Sequence, residues 1–406
     1  MAVCYLVVRN NRGADEEQKQ TDRRSVLKAG AVGLATLATS GTAFAASNRS
    51  DKASDVHAAK GAVGNPVSEQ RRKQLRKRAV AEYERNTGET MDGIPAARPE
   101  AGGVSQESSA GSEDAGTETN ADDEGEVVAF AYSIDADGVA HSYIGMASES
   151  DTAGPNNRAE GLIHNRFENR VRQISTALEA SDDDVTTEAA GGTINDLENM
   201  EERLNNQHEF AKDPYGVVSS TYYWLQDTEY DDSSSLYAFH SPMTIEPGHI
   251  AFDTQWKNDE AWNKHHWDEN EMAWQNVGDG YWKPAGPSDG GSVSQSYSVS
   301  VTAGWMTADV SVGYSWSYTE PAMERTDQSS QYNDYNQWYW NVQDQCDGSV
   351  RKSTLSMQPS SSCEMEDYDS DMGERDICFN EVRGRFVDGI CDNWYELYSN
   401  LTYYKY

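Results

Sequence analysis

Apolar and polar residues alternate strictly along Gly291–Glu320. Before Gly304 the apolar residues stand at odd positions between small polar ones, and they include Val293, Tyr297, Val299 and Val301. Beyond Ala308 they stand at even positions, as Val310, Val312, Tyr314, Trp316 and Tyr318. A period of two places successive residues on opposite faces of a strand. The change of parity across a short Gly-containing break therefore predicts a β-hairpin.

Two interpretations of this hairpin stay open. In the first, it is a central hairpin of an antiparallel sandwich, with Val, Tyr and Trp in the core and Ser facing solvent. In the second, it inserts into a membrane, where a spanning strand needs ~9–11 residues that alternate apolar and polar. The pattern of Gly291–Glu320 resembles the hairpins of water-soluble pore-forming toxins of the aerolysin and leukocidin type. That resemblance implies a protein that acts on membranes.

The sequence becomes rich in aromatic residues near Tyr215. All eleven Trp lie at or beyond Trp224. Short apolar runs such as Leu236–His240 and Gln337–Val342 are separated by Gly, Pro, Asp and Ser. This spacing predicts an antiparallel β-sandwich-like domain over residues 213–406. The fold class expected for the whole chain is mainly β.

A small α/β unit is predicted ahead of this domain, over residues 126–212. Val127–Ile134 and Val139–Met146 flank an Asp-Ala-Asp-Gly turn, which indicates a hairpin. Helical spacing then predicts a helix whose apolar side is formed by Ile163, Phe167, Val171, Ile174 and Leu178. A second helix is expected near Thr193–Phe210.

Residues 46–125 are predicted to be a disordered leader or propeptide. The stretch 98–125 is rich in Gly, Ser, Glu, Asp and Thr and has no aromatic residue. Such a composition buries too little apolar surface to offset chain entropy, which is typical of a linker. Ser68–Arg85 is compatible with a charged helix, either solvated or acting as a tether to an anionic cell surface.

The first residues of the chain predict an export signal. Arg23 and Arg24 precede an apolar run of small residues that ends in Ala43–Phe44–Ala45. This arrangement is that of a twin-arginine signal peptide with a cleavage site, here residues 1–45. It closely resembles the export signals of haloarchaeal secreted proteins. The resemblance implies an extracellular protein.

The charge balance points to the same kind of source. The chain has 68 acidic and 33 basic residues, a net charge of −35. An acidic surface of this kind stays soluble in concentrated salt, where screening removes its self-repulsion. It also argues against nucleic acid as a partner, because nucleic acid binds basic surfaces. We therefore expect a halophilic protein.

Four cysteines lie near the C-terminus, at Cys346, Cys363, Cys378 and Cys391. The fifth cysteine, Cys4, lies in the predicted signal. The four that remain after cleavage are an even number in an exported chain, which predicts two disulfides with three connectivities open. Their spacing does not fit paired zinc knuckles.

Two stretches are candidate metal sites. Asp367, Asp369 and Asp371 alternate like the first half of a Ca²⁺ loop, although Gly373 falls one place late. His265 and His266 precede several carboxylates and are candidate ligands of a transition metal. The alternative for both stretches is a solvated polar loop. No other cofactor is expected.

No nucleophile elbow or other catalytic motif occurs in the sequence, so we do not expect an enzyme. The first function hypothesis is a secreted, non-enzymatic protein that binds a cell-surface or matrix component such as a glycan. The second is a secreted toxin, halocin-like or pore-forming, that acts on a target membrane through the hairpin. The third is a polysaccharide hydrolase with a stacking platform drawn from Trp262, Trp267, Trp274 and Trp282. The oligomeric state is left open.

Overall fold

Two large β-sheets dominate the computed structural model of the protein. The structure describes residues 53–91, 93–108, 125–149, 157–180, 201–231, 234–267, 274–277, 281–284, 293–299, 312–318, 323–329, 335–342, 344–366 and 374–405. The mainly β fold class predicted from the sequence is confirmed.

Strands far outnumber helices among the described residues. In chain order the strands are β1 (His57–Lys60), β2 (Pro95–Ser108), β3 (Glu126–Ile134), β4 (Ala140–Ala147), β5 (Glu201–Lys212), β6 (Gly216–Asp231), β7 (Ser234–His240), β8 (Met243–Pro247), β9 (Lys257–His266), β10 (Trp274–Val277), β11 (Tyr281–Pro284), β12 (Val293–Val299), β13 (Val312–Tyr318), β14 (Met323–Asp327), β15 (Tyr335–Val342), β16 (Leu355–Glu366), β17 (Arg375–Val387) and β18 (Asn393–Lys405). The helices are α1 (Glu69–Thr87), α2 (Arg158–Ala180) and α3 (Gly248–Ala251).

A ten-stranded sheet runs in the order β1-β3-β4-β5-β6-β7-β16-β10, with β8 and β11 also paired to β16. A six-stranded sheet runs in the order β14-β15-β9-β17-β18-β2. Neighbouring strands are antiparallel except for β4 and β5, which are parallel. A parallel pair needs a crossover, and α2 lies in the chain between these two strands.

The two sheets pack face to face through aromatic side chains. Tyr403 of β18 lies 5.2 Å from Phe239 and 4.8 Å from Tyr222 between ring centroids, and both partners belong to the ten-stranded sheet. Trp224 and Trp338, one from each sheet, are fully buried in the same core. Large rings bury much apolar area per residue, so the aromatic richness beyond Tyr215 forms the sandwich core.

Helix α2 covers the outer face of the ten-stranded sheet. Its predicted apolar side is buried there, as Ile163, Phe167, Val171, Ile174 and Leu178. The helix expected near Thr193–Phe210 is wrong for its second part, because residues 201–212 form β5. β5 pairs with β4 on one side and β6 on the other. These ladders override the local helical pattern, and they join residues 126–212 to the same sheet as β6 to β8.

Much of the predicted disordered leader is ordered. Helix α1 begins after Ser68, whose Oγ accepts a hydrogen bond from the Arg71 N–H, and it ends at Gly88 with a left-handed φ of 76°. Leu75 and Arg76 are buried against the body of the protein, and Arg76 Nη2 donates to the Tyr404 hydroxyl at 2.8 Å. The helix predicted over Ser68–Arg85 is confirmed, but the prediction of a disordered leader is wrong here, because α1 packs against the body of the protein.

The start of the predicted linker is ordered as well. β2 pairs with β18 along its length, from Pro95 opposite Lys405 to Ser108 opposite Asn393. Its composition is that of a linker, but the adjacent strand supplies partners for its backbone groups. The prediction of disorder is wrong for residues 95–108, and residues 109–124 lie outside the described part of the chain.

Candidate functional site

The hairpin predicted in Gly291–Glu320 is present. β12 and β13 are antiparallel in continuous register from Val293 opposite Tyr318 to Val299 opposite Val312. Among the strands that the structure describes, these two pair only with each other and form a separate two-stranded sheet. Over residues 293–299 and 312–318, the arms therefore pair as the sequence pattern predicts.

The register sorts the hairpin into two chemically different faces. Residues directly opposite each other in an antiparallel ladder share a face, and alternate residues along each strand change faces. One face holds the pairs Val293–Tyr318, Gln295–Trp316, Tyr297–Tyr314 and Val299–Val312. The other holds Ser294–Ser317, Ser296–Ser315 and Ser298–Gly313. Apart from Gln295, the first face holds only Val, Tyr and Trp, and the second holds only Ser and Gly.

In sequence, the hairpin lies between a strand of the ten-stranded sheet and a strand of the six-stranded sheet. β11, before it, pairs with β16 in the ten-stranded sheet, and β14, after it, is an edge strand of the six-stranded sheet. No described strand pairs with the outer side of β14. Among the described strands, β14 is therefore paired on one side only, with β15.

Several predicted site residues lie outside the described part of the chain. They are Val301 and Val310 of the hairpin, Arg23, Arg24, Ala43 and Ala45 of the signal, and Asp367, Asp369 and Asp371 of the candidate Ca²⁺ loop. The signal peptide and the Ca²⁺ site therefore stay predictions.

One disulfide joins Cys346 to Cys391. Cys363 and Cys378 are both buried and carry thiols, so the second predicted disulfide is wrong. The two lie in different sheets, with Cys363 opposite Tyr237 in β7 and Cys378 opposite Tyr403 in β18. Burial raises the pKa of the Cys378 thiol well above its usual value, which makes it an unreactive core residue.

The candidate metal ligand His265 is a buried core residue. Its Nε2 lies 2.6 Å from Ser241 Oγ and its Nδ1 lies 2.6 Å from Ser361 Oγ. Burial, aided by His240, lowers the pKa of His265 to about 3, so the ring is neutral at neutral pH. Both ring nitrogens are engaged by hydroxyl groups, and the predicted transition-metal site is wrong for this residue. Within the described residues no group of His, Cys, Asp and Glu is arranged to hold a metal ion.

Of the candidate stacking platform, the structure describes the side chains of Trp262 and Trp267, and they lie in different environments. Trp267 is buried in the core, 5.2 Å from Phe239 between ring centroids. Trp262 is half-buried on the six-stranded sheet. Its ring centroid lies 5.1 Å from that of Tyr339, and the Arg385 guanidinium carbon lies over the ring, 5.1 Å from its centroid. Trp262 and Trp267 therefore do not form one surface for a sugar.

Two exposed residues were missed by the sequence analysis. Among the residues whose side chains the structure describes, Ile250 and Ile390 are the large apolar ones with strong exposure, 48% and 71%. Ile390 follows Asp388–Gly389, so the sequence signal was an isolated Ile beside a turn. A single exposed Ile is ordinary on a protein surface, and only its position in the fold gives it meaning.

The comparisons with known proteins do not identify a family for this chain. No known protein family matches the sequence, and no curated protein matches it. Among solved structures, the chain is similar to Clostridium perfringens delta-toxin, with 6% identity, a TM-score of 0.29, and coverage of 52% of this chain and 88% of that chain. It is also similar to the membrane-inserted form of the Clostridium perfringens NetB toxin, with 9% identity, a TM-score of 0.21, and coverage of 49% and 92%. These values are too low to assign a function. In the described part of the chain no helix is long and apolar enough to cross a membrane.

Proposed function

We propose that this protein is a secreted, non-enzymatic toxin that acts on a target membrane by inserting the β12–β13 hairpin. The observation that supports the proposal best is the register, which gathers apolar residues on one face and Ser and Gly on the other. A strand that crosses lipid needs this alternation, with one face toward the acyl chains and the other toward water. The alternative, a central hairpin of the sandwich, requires pairing with neighbouring strands.

The length of the hairpin arms fits this function. The alternating pattern runs over Val293–Val301 and Val310–Tyr318, about nine residues in each arm, and a spanning strand needs ~9–11. An isolated two-stranded hairpin is only marginally stable in water. The free energy needed to separate β12 and β13 is therefore small compared with that of removing a strand from either large sheet.

The active form is an assembly of several copies. In lipid every backbone N–H and C=O must find a partner, and a single hairpin leaves the outer edges of both its strands unpaired. Hairpins of neighbouring copies satisfy those edges by pairing side by side. Their Ser-rich faces then enclose water, and their apolar faces contact the acyl chains.

Dye release from liposomes tests this proposal with a matched pair of variants. Val299 and Ser298 are neighbours in β12 but lie on opposite faces of the hairpin. Val299→Asp places a charge on the lipid-contacting face, at a cost below the ~2–4 kcal/mol per chain of a basic residue at the bilayer midplane, whereas Ser298→Asp places it in water. We expect Val299→Asp to lose dye release by at least tenfold and Ser298→Asp to keep it.

The melting temperatures of both variants are measured as a control for folding. No dye release by the unaltered protein would overturn the proposal. Equal release by the two variants would also overturn it, because a hairpin that stays in water does not distinguish its two faces.

The export route is part of the same proposal, because a membrane-acting protein of this kind works outside its cell of origin. The twin-arginine pair Arg23 and Arg24 supports it. Replacing both with Lys is expected to abolish processed protein in the medium. Unchanged secretion by that variant would contradict the export route.

A further inference from the structure

The strand before the hairpin, β11, ends at the same end of the sandwich at which the strand after it, β14, begins. Pro284, the last residue of β11, lies opposite Met357 near the start of β16. Met323, the first residue of β14, lies opposite Val342 at the end of β15. β15 and β16 are joined by the short connection 343–354, so both positions belong to one end of the molecule.

The two exposed isoleucines lie at this same end. Ile250 belongs to α3, which directly follows β8, and β8 pairs with the start of β16 through Ile245 and Leu355. Ile390 belongs to the turn between β17 and β18, where Val387 lies opposite Lys257 at the start of β9.

The segments that carry the two isoleucines are close together. Residues 252–256 connect α3 to β9 and span at most ~18 Å. A Cβ added at Gly389, in the β17–β18 turn, would lie 3.4 Å from Gln255 Cβ, so the turn packs against this connection. Ile250 and Ile390 therefore project from adjoining segments.

The turn that carries Ile390 is held firmly in place. One carboxylate oxygen of Asp388 accepts hydrogen bonds from the backbone N–H groups of Ile390 and Asp392, both at 3.1 Å. Cys391 is bridged to Cys346, and Lys257 Nζ donates to the Gly389 carbonyl at 3.3 Å. A large apolar side chain held out into solvent on a rigid turn loses little entropy when it enters an apolar environment.

We infer that the end of the sandwich carrying Ile250 and Ile390 is a docking surface for a lipid bilayer. The inference rests on the proposed function, since it names the surface by which the soluble protein first meets its target membrane. The position of the two isoleucines indicates that the partner is a bilayer, because they lie at the end of the sandwich where β11 ends and β14 begins. Docking through this end brings both attachment points of the hairpin to the bilayer before insertion.

Co-flotation with vesicles of equimolar phosphatidylcholine and phosphatidylglycerol in molar salt tests the inference. Ile390→Asp is expected to weaken vesicle binding about 10- to 100-fold, the loss that corresponds to one buried Ile side chain. The matched control is Ala136→Asp, which adds the same charge to the turn between β3 and β4 at the opposite end of the ten-stranded sheet. The control is expected to bind like the unaltered protein.

Ile390→Ser is the second variant, because it removes the apolar group without adding charge. It is expected to weaken binding in the same direction as Ile390→Asp, and the melting temperature of each variant verifies folding. Binding of both Ile390 variants at the unaltered level would overturn the inference. Failure of the unaltered protein to bind these vesicles would overturn it as well.

The hairpin variant Val299→Asp separates this inference from the proposed function. It is expected still to float with vesicles, because docking precedes insertion, and to release at least tenfold less dye than the unaltered protein. If it binds and still releases dye, insertion of the hairpin is wrong while docking through Ile390 stands. If the Ile390 variants bind and release dye normally, docking is wrong while the proposed function stands.

Discussion

Tyr297 lies directly opposite Tyr314 in the ladder of β12 and β13. One position further along, Ser298 lies opposite Gly313, on the other face of the same hairpin. A slip of one residue in one strand would place apolar residues opposite polar ones and mix the two faces. The observed register is therefore the structural property on which the proposed membrane activity depends.

The first prediction concerns helix α1, which the sequence alone assigned to a leader. Leu75 is 2% exposed and belongs to the main core, so Leu75→Ala is expected to lower the free energy of unfolding by ~2–5 kcal/mol. Lys77→Ala, on the exposed side of the same helix, is expected to change it by less than ~0.5 kcal/mol. Urea unfolding measures both values. If both variants were as stable as the unaltered protein, α1 would be a solvated helix after all.

The second prediction concerns the buried histidine His208. Its Nε2 lies 2.6 Å from Ser399 Oγ, and burial lowers its pKa from 6.5 to about 3. Between these values the unfolded chain binds a proton that the folded chain does not. The contribution of His208 to stability is therefore complete above pH 6.5 and falls by about 1.4 kcal/mol per pH unit below it.

Urea unfolding at pH 7 and pH 5 checks this sign. We expect the unaltered protein to lose about 2 kcal/mol more between the two pH values than His208→Gln does, because Gln does not titrate. The comparison with the variant removes the effect of the other titrating groups. Equal losses in the two proteins would show that His208 keeps its ordinary pKa in the folded state.

The third prediction concerns the cysteines. Thiol labelling after denaturation without reduction should modify Cys363 and Cys378 and leave Cys346 and Cys391 unmodified. The Cys346–Cys391 bridge spans a sequence separation of 45, so replacing both of its cysteines with Ser should cost about 4 kcal/mol. The matched control replaces Cys363 and Cys378 with Ala, which changes packing but opens no loop. Recovery of a peptide that links Cys363 to Cys378 would refute this assignment.

Local pattern was enough to predict some elements of this protein. The hairpin was predicted from strict alternation, and α2 from the spacing of Ile163, Phe167, Val171, Ile174 and Leu178, because each pattern continues over most of its element. The sandwich followed from the density of aromatic residues. These features are set by the residues of the element itself.

The remaining elements depend on partners far away in the chain. β2 has the composition of a linker and is a strand because β18 lies beside it. Cys363 and Cys378 looked alike in sequence to the bridged pair, and only their placement in different sheets keeps them apart. The sequence showed Ile390 only as one apolar residue beside a turn, and the structure shows that this turn lies at the end of the sandwich next to the hairpin. Long-range contacts decide these cases, and spacing along the sequence does not report them.

A scan of the hairpin with an environment-sensitive dye tests the central claim most directly. Each residue from Val293 to Val299 is changed in turn to Cys, labelled in the unfolded chain after masking of the native thiols, and measured after mixing with liposomes. The account predicts a blue-shifted, lipid-quenched signal at positions 293, 295, 297 and 299 and a water-like signal at 294, 296 and 298, because the register places these two sets on opposite faces. A water-like signal at all seven positions, or a signal with no period of two, would contradict it.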